Sequence, residues 1–261
     1  MSLSTSTPNS SPAASTEAVG SEQDPLLKSL GMHLLPGVFI VVLFVAIAPG
    51  MLGAGLPPLV AVLISALLGL AFQAWHLLRE GKKRNGKWSL AGIVTYRHPM
   101  PLWQYFVLVP IFVILAFIIS GPAGAIGTAL LKLMPWLPAW FEVRDPAILR
   151  QYPRGIIAFT YLALNFPING LAAPIIEELY FRGYLMPRLS RFGNWTPLIA
   201  TALFTVYHFW QPYYWPTLFL GILPVVYAVW WKRNVRLGIL IHALLNIVGG
   251  LLTFALLIGQ P

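Results

Sequence analysis

Two adjacent carboxylates, Glu177 and Glu178, lie in an otherwise apolar stretch that ends at Arg182. Ionisable groups inside apolar spans are costly, so such groups face the bundle interior or a water-filled cavity and have a partner. Glu178 and Arg182 are four residues apart and share one helix face, which predicts an ion pair. Glu177 points about 100° away on a helix of 3.6 residues per turn. Glu177 is therefore predicted to be the free carboxylate that takes a proton from water and returns it to a leaving amine.

The second half of the chain has two histidines, His208 and His242. Phe204 precedes His208 by four residues, so its ring is expected to pack against the imidazole and help to fix it. His208 would then orient the attacking water beside Glu177. His242 and Asn246 are also four apart, and two donors on one face can hold one oxyanion. The pattern indicates acid–base hydrolysis within the membrane.

Three short motifs occur in a fixed order, and together they resemble those of the CPBP (Abi/CAAX) intramembrane proteases, which include the type II CAAX prenyl proteases. The motifs are Glu177-Glu178-x-x-x-Arg182, Phe204-x-x-x-His208 and His242-x-x-x-Asn246. The resemblance covers about residues 170–250. It implies that the first Glu and the first His activate water, that the second His and the Asn form an oxyanion site, and that the remaining motif residues support them. It also implies a membrane-associated peptide or lipidated protein substrate, including one with a prenylated CAAX-type C-terminus.

A metal mechanism is the alternative for the same residues. The chain has no cysteine, which excludes thiol nucleophiles and thiolate ligands. Glu177, His208 and His242 are a His₂Glu set that would suit Zn²⁺ with one open position. The helix signature His-Glu-x-x-His of zinc proteases is absent, so the metal-free glutamic mechanism is favoured and no cofactor is expected.

The elements that must position these residues are membrane helices. The 261 residues are 57% hydrophobic and only 10% charged, with apolar runs of the length that crosses the ~30 Å hydrocarbon core. The sequence predicts an all-α, polytopic transmembrane bundle of about seven spans, with residues 1–31 as a disordered cytoplasmic tail. The transmembrane domain would cover 32–261, with the motifs in 174–250. The expected spans are, approximately, 33–53, 56–78, 102–120, 155–188, 196–211, 216–231 and 237–258.

Two regions between or beside the spans are assigned to the membrane interface. Residues 121–153 are predicted to lie at the outer interface, although 122–137 could form an eighth span. The aromatic residues of 207–215 are expected to form an interfacial belt, and His33, His76 and His98 are given interfacial positions.

The distribution of basic residues predicts the orientation. The net charge is +9, but the cations occur in short clusters between apolar runs, so they indicate topology and not nucleic acid binding. Thirteen of the 17 Lys and Arg residues fall on one side of the predicted layout. That side is expected to be cytoplasmic and to hold the N-terminus, with the C-terminus on the opposite side.

Two other classes of function remain compatible with the sequence. Buried acids and histidines also relay protons in transporters, although no internal repeat is evident. A non-catalytic scaffold or immunity protein could use the same fold. A serine protease is disfavoured because no Gly-x-Ser-x-Gly elbow occurs. The oligomeric state is not predicted.

Overall fold

A computed structural model describes residues 23–259 of the chain. This part is an all-α bundle, as predicted, and its β content is a single isolated bridge between Arg97 and Asn234. Six helical stretches are long and apolar enough to cross a membrane. The chain is therefore an integral, multi-pass membrane protein.

Nine α-helical segments make up most of the bundle. They are α1 (Leu26–Gly53), α2 (Pro58–Asn85), α3 (Leu102–Lys132), α4 (Pro146–Leu149), α5 (Arg154–Ala158), α6 (Ala173–Glu177), α7 (Thr196–Tyr207), α8 (Trp215–Lys232) and α9 (Val235–Ile258). A short 3₁₀ helix, Ala139–Phe141, precedes α4, and another, Pro212–Tyr214, precedes α8.

α5 and α6 belong to one continuous run, which we call the composite helix (154–195). Its other parts are the π-helical segments Phe159–Ala172 and Glu178–Leu185 and the 3₁₀ segment Met186–Trp195. Gly193 interrupts it with a positive φ of 53°, a conformation that favours glycine. Beyond this point the chain folds back: the rings of Phe181 and Tyr207 are 4.9 Å apart, whereas 26 residues of straight helix would span about 39 Å. The composite helix and α7 are therefore separate passes, which gives the seven spans expected from the sequence.

Two predicted boundaries are wrong. α3 does not end near Ser120 but continues to Lys132, so most of 122–137 is neither an interfacial segment nor an eighth span. Pro122 lies inside this helix, and prolines are tolerated in membrane helices where local adjustments satisfy the freed carbonyl. α1 begins at Leu26, so the last six residues of the predicted tail 1–31 are helical. Residues 1–22 of that tail lie outside the described part of the chain.

The outer surface of the bundle is apolar. Large hydrophobic side chains such as Leu35, Phe106 and Ile118 are exposed on α1 and α3. A soluble protein rarely exposes such a continuous apolar surface, whereas lipid is its natural solvent. These faces are therefore the lipid-facing sides of the bundle.

One end of the bundle, which we call the basic end, gathers the cationic segments. It contains the start of α1, the loop 86–101, residues 188–191 and residues 232–236. Asp24 forms an ion pair with Arg188 at 3.7 Å, and the Thr95 amide donates to the Gly183 carbonyl at 3.0 Å. The His98 amide donates to the Arg233 carbonyl at 3.0 Å. The segments that the sequence assigns to the cytoplasmic side thus meet on the same face of the protein.

Candidate active site

The two carboxylates lie where the composite helix changes its geometry. Glu177 is the last residue of α6 and Glu178 the first residue of a π-helical segment. π-Helical turns are rare in proteins, and those that occur are frequently found at functional sites. Both side chains are buried, with 6% and 1% of their surface exposed. Neighbours in the sequence, they have different partners in the structure.

Glu178 lies in a buried ionic cluster. Its Oε1 is 3.4 Å from the guanidinium of Arg182, which confirms the predicted ion pair. The same oxygen is 3.1 Å from Nδ1 of His242, a contact that the motif spacing did not predict. Gly238 makes room for the carboxylate, because a Cβ there would lie 2.5 Å from Glu178 Oε2. Cluster and helix α9 are therefore packed directly together.

Phe204 contacts charged and aromatic groups at once. Its ring packs edge-on against His208 with centroids 4.8 Å apart, as expected from the four-residue spacing. The guanidinium of Arg182 lies over the same ring, 3.9 Å from its centroid, within the range of a cation–π contact. Phe204 thus joins the ionic cluster to His208.

Glu177 has a different set of partners, which the sequence reasoning missed. Tyr207 donates its hydroxyl hydrogen to Glu177 Oε1 at 3.2 Å, and the amide of Gln73 on α2 donates to the Tyr207 hydroxyl at 3.0 Å. Tyr207 and Gln73 are fully buried, so the assignment of Tyr207 to an interfacial belt is wrong. Gln73 could have been singled out, because an amide inside an apolar span also needs a buried partner.

His208 lies at the C-terminal end of α7, outside regular helix. Its Nδ1 is 2.8 Å from the Phe204 carbonyl, which can only accept, so Nδ1 carries the hydrogen and Nε2 is left as an acceptor. The predicted span ran to Gln211, but α7 has only 12 residues, about 18 Å, and is shorter than the hydrocarbon core. This short helix ends within the bundle, at a level where His208 can meet residues of the other helices.

The backbone after α7 is irregular. Residues 208–214 form turns and a short 3₁₀ helix, and Trp215 donates its indole hydrogen to the His208 carbonyl at 3.1 Å. Non-helical backbone at membrane depth is tolerated where it is buried in protein or lines a water-filled cavity. Here Trp210, Gln211 and Tyr214 line a cavity.

His242 and Asn246 lie one turn apart on α9, and both line the cavity. Nδ1 of His242 faces Glu178, which leaves Nε2 as its other ring nitrogen. One Nδ2 hydrogen of Asn246 is donated to the Asn169 carbonyl at 2.8 Å, so the second remains for another acceptor. His242 thus keeps its Nε2 atom for a ligand, and Asn246 keeps one N–H hydrogen.

A single cavity of about 460 Å³ brings the motif residues together. Of the motif residues, those that line it are Glu177, Phe204, His208, His242 and Asn246. Glu178 and Arg182 are not among the lining residues; they lie behind it in the ionic cluster. The rest of the wall is mostly apolar and comes from α2, α3, the composite helix, α8 and α9.

The three residues named for a zinc site line the same cavity but have separate partners. Within residues 23–259 no group of three His, Cys, Asp or Glu side chains is close enough to hold a metal ion. The carboxylate beside His242 Nδ1 belongs to Glu178, and Glu177 faces Tyr207.

His33, which was given an interfacial position, lies inside the bundle. It is fully buried on α1, with Nδ1 2.7 Å from the Ser29 carbonyl and its ring near Phe181. Trp210, assigned to the aromatic belt, is buried as well.

Comparison with known proteins agrees with the motif assignment. No curated protein and no solved structure gives a significant match to the chain. A family model does match residues 159–248, the segment that contains the composite helix from Phe159, α7, α8 and most of α9. It is described as type II CAAX prenyl endopeptidase Rce1-like. The resemblance seen in the three motifs is thereby confirmed: residues 159–248 match the CPBP/CAAX protease family, which supports a membrane endopeptidase.

Proposed function

We propose that this protein is an intramembrane endopeptidase of the glutamic type, in which Glu177 and His208 activate a water molecule. The observation that carries this proposal is the shared cavity, which Glu177, His208, His242 and Asn246 all line. Each of the four side chains has a hydrogen-bond partner that fixes it and still leaves a polar atom for a ligand.

In the first step, Glu177 takes a proton from water as the hydroxide attacks the scissile carbonyl carbon. Nε2 of His208 accepts a hydrogen bond from the other O–H of this water, since Nδ1 donates its hydrogen to the Phe204 carbonyl. Glu177 then gives its proton to the amide nitrogen as the C–N bond breaks. The proton balance closes, because the carboxylate is regenerated.

The negative charge that develops on the carbonyl oxygen needs donors. Asn246 has one Nδ2 hydrogen left beyond its bond to Asn169. Protonated His242 supplies a second donor from Nε2 while Nδ1 is held by Glu178, in the way that a carboxylate orients a catalytic imidazole. The ionic cluster thus supports the oxyanion site and leaves proton transfer to Glu177.

The substrate proposed is a membrane-associated peptide segment. The cavity wall combines Leu63, Leu70, Ile168 and similar apolar residues with polar groups such as Asn165 and Gln211, which suits a hydrophobic peptide with buried backbone amides. A lipidated, CAAX-type C-terminus is the finer candidate that the family match suggests, and the side on which the cavity opens decides for or against it.

The test is cleavage of a hydrophobic peptide library by purified full-length protein. We expect Glu177→Ala and His208→Ala to lower cleavage by about 10²–10⁴-fold, the usual contribution of a positioned acid–base group. Glu80→Gln is the matched control, because Glu80 lies near the C-terminal end of α2, outside the cavity wall, and pairs with Lys83. Unchanged cleavage by both alanine variants would reject the proposal.

Two further arms separate the alternatives. Loss of cleavage on chelation, restored by Zn²⁺, would indicate a metalloprotease in place of the glutamic mechanism. Proton-coupled flux in liposomes that persists while all peptides stay intact would indicate a transporter. Absence of both activities, in a protein that remains folded, would indicate a scaffold.

A further inference from the structure

We infer that the catalytic cavity opens on the extracytoplasmic side of the membrane, so that the substrates are peptide segments presented from that side. The statement about substrates rests on the proposed function, whereas the direction in which the cavity opens does not. It combines the direction in which the cavity extends with the distribution of charge between the two ends of the bundle.

The cavity extends from the site away from the basic end. Along α9 its wall runs from His242 to Thr253, eleven residues or about 16 Å closer to the end of that helix. α9 begins at Val235, next to the basic end, so this direction points to the opposite end of the bundle. The cavity therefore extends away from the cationic segments.

The far part of the cavity is lined by segments of that opposite end. Val143 and Arg144, which follow α3, contribute to the wall, and the Arg144 guanidinium lies 5.8 Å from the ring centroid of Tyr214. Leu59 contributes from the first turn of α2, just after the turn that follows α1. Charged and aromatic residues at this level are typical of the membrane–water boundary.

The basic end is closed by the loop 86–101. Ile93, Val94 and Tyr96 of this loop are buried. Gly183 of the composite helix lies against Val94 so closely that a Cβ would come within 2.6 Å of its Cγ1. Tyr96 also accepts a backbone hydrogen bond from Val235 at 2.8 Å. A peptide cannot reach the site from this end without displacing packed apolar side chains.

Charge assigns the two ends to the two sides of the membrane. The basic end holds most of the 17 Lys and Arg residues, and the opposite end holds four: Lys132, Arg144, Arg150 and Arg154. Segments rich in Lys and Arg close to the ends of membrane helices stay in the cytoplasm. The basic end is therefore the cytoplasmic one, and the cavity faces the other side.

The chain has no cysteine, so single cysteines report accessibility without background. The probe is a membrane-impermeant maleimide, applied to intact cells that express the full-length chain and then to permeabilised cells. Gly124→Cys and Gly249→Cys report the cavity, because both residues line it and a Cβ at either meets nothing within 4 Å. Lys87→Cys reports the exposed loop at the basic end, and Leu252→Cys is a lipid-facing control on the same helix as Gly249.

We expect Gly124→Cys and Gly249→Cys to react in intact cells, and Lys87→Cys to react only after permeabilisation. Leu252→Cys should stay unmodified in both conditions. Reaction of the cavity cysteines only after permeabilisation would overturn the inference and would suit a cytoplasmic CAAX-type substrate. No reaction in either condition would also overturn it, because the cavity would then not be open to water.

Labelling does not depend on catalysis, so its failure is distinct from failure of the proposed function. If the chain labels as expected but cleaves no peptide, the orientation of the cavity is supported and the proposed endopeptidase activity is rejected. If the chain cleaves peptides in detergent but labels from the cytoplasmic side, the endopeptidase activity is supported and the orientation of the cavity is rejected.

Discussion

Glu177 and Glu178 are consecutive residues with the same side chain, yet they belong to two different regions. Glu178 lies in the ionic cluster with Arg182 and His242, behind the cavity. Glu177 lines the cavity, and the side-chain hydrogen bond to it comes from the neutral hydroxyl of Tyr207. A carboxylate held by a guanidinium and an imidazole is committed to structure, whereas one held by a neutral hydroxyl can exchange its proton with a ligand. Glu178 therefore positions other side chains, whereas Glu177 is the carboxylate available for proton transfer.

The largest effect on stability is expected when the ionic cluster is broken. Glu178→Gln leaves the fully buried guanidinium of Arg182 without its carboxylate, and breaking one side of a buried pair costs about 3–5 kcal/mol. Glu177→Gln keeps an oxygen that accepts from Tyr207 and should hardly change the fold. Thermal unfolding in detergent measures both variants.

The peptide assay gives the complementary result. Glu177→Gln should abolish cleavage at full stability, since an amide cannot accept the proton of water. Equal stability losses for the two variants, or activity retained by Glu177→Gln, would contradict the division between the two regions.

The ionic cluster is the part of the site that could be predicted from the sequence. The four-residue spacing placed Glu178 and Arg182 on one face because both lie on the same helical run. The same reasoning placed Phe204 against His208. Such local contacts depend only on helix geometry, which the sequence determines within one element.

Contacts between helices could not be predicted in this way. Gln73 and Tyr207 are 134 residues apart, and their bond depends on how α2 is rotated and shifted against α7. The pairing of His242 with Glu178 likewise depends on the close approach at Gly238. The seven spans could be counted from apolar runs, but α3 was predicted too short, because residues 121–153 mix apolar and polar stretches and were assigned to the outer interface.

A moderate effect is expected when α9 is pushed away from the ionic cluster. In Gly238→Ala the new methyl group would lie 2.5 Å from Glu178 Oε2 and 2.8 Å from Val229, so these side chains, or the helices that carry them, must shift. Overpacking of this kind costs about 1–3 kcal/mol. His242 moves with α9, so cleavage should fall together with the thermal stability.

Gly249→Ala is the matched control for this variant. It lies on the same helix, but its Cβ meets nothing within 4 Å. Stability should be unchanged or slightly higher, because alanine favours helix over glycine. A similar loss in both variants would show that α9 tolerates no substitution and that the contact with Glu178 has no special role.

The smallest effect is expected at the donor to Glu177. Tyr207→Phe removes the hydroxyl that positions the carboxylate and keeps the ring that packs on Phe181 and Phe204. We expect kcat to fall about tenfold with KM unchanged, since one hydrogen bond of this kind contributes roughly 1–3 kcal/mol. Tyr213→Phe removes a hydroxyl that donates over the same 3.2 Å distance to the Phe141 carbonyl, away from Glu177, and should leave kcat unchanged.

Gln73→Leu should lower kcat less than Tyr207→Phe, because it acts on Glu177 only through the tyrosine. Equal kcat values for Tyr207→Phe and Tyr213→Phe would mean that the hydroxyl serves the fold alone, and that Glu177 is oriented by the cavity wall itself.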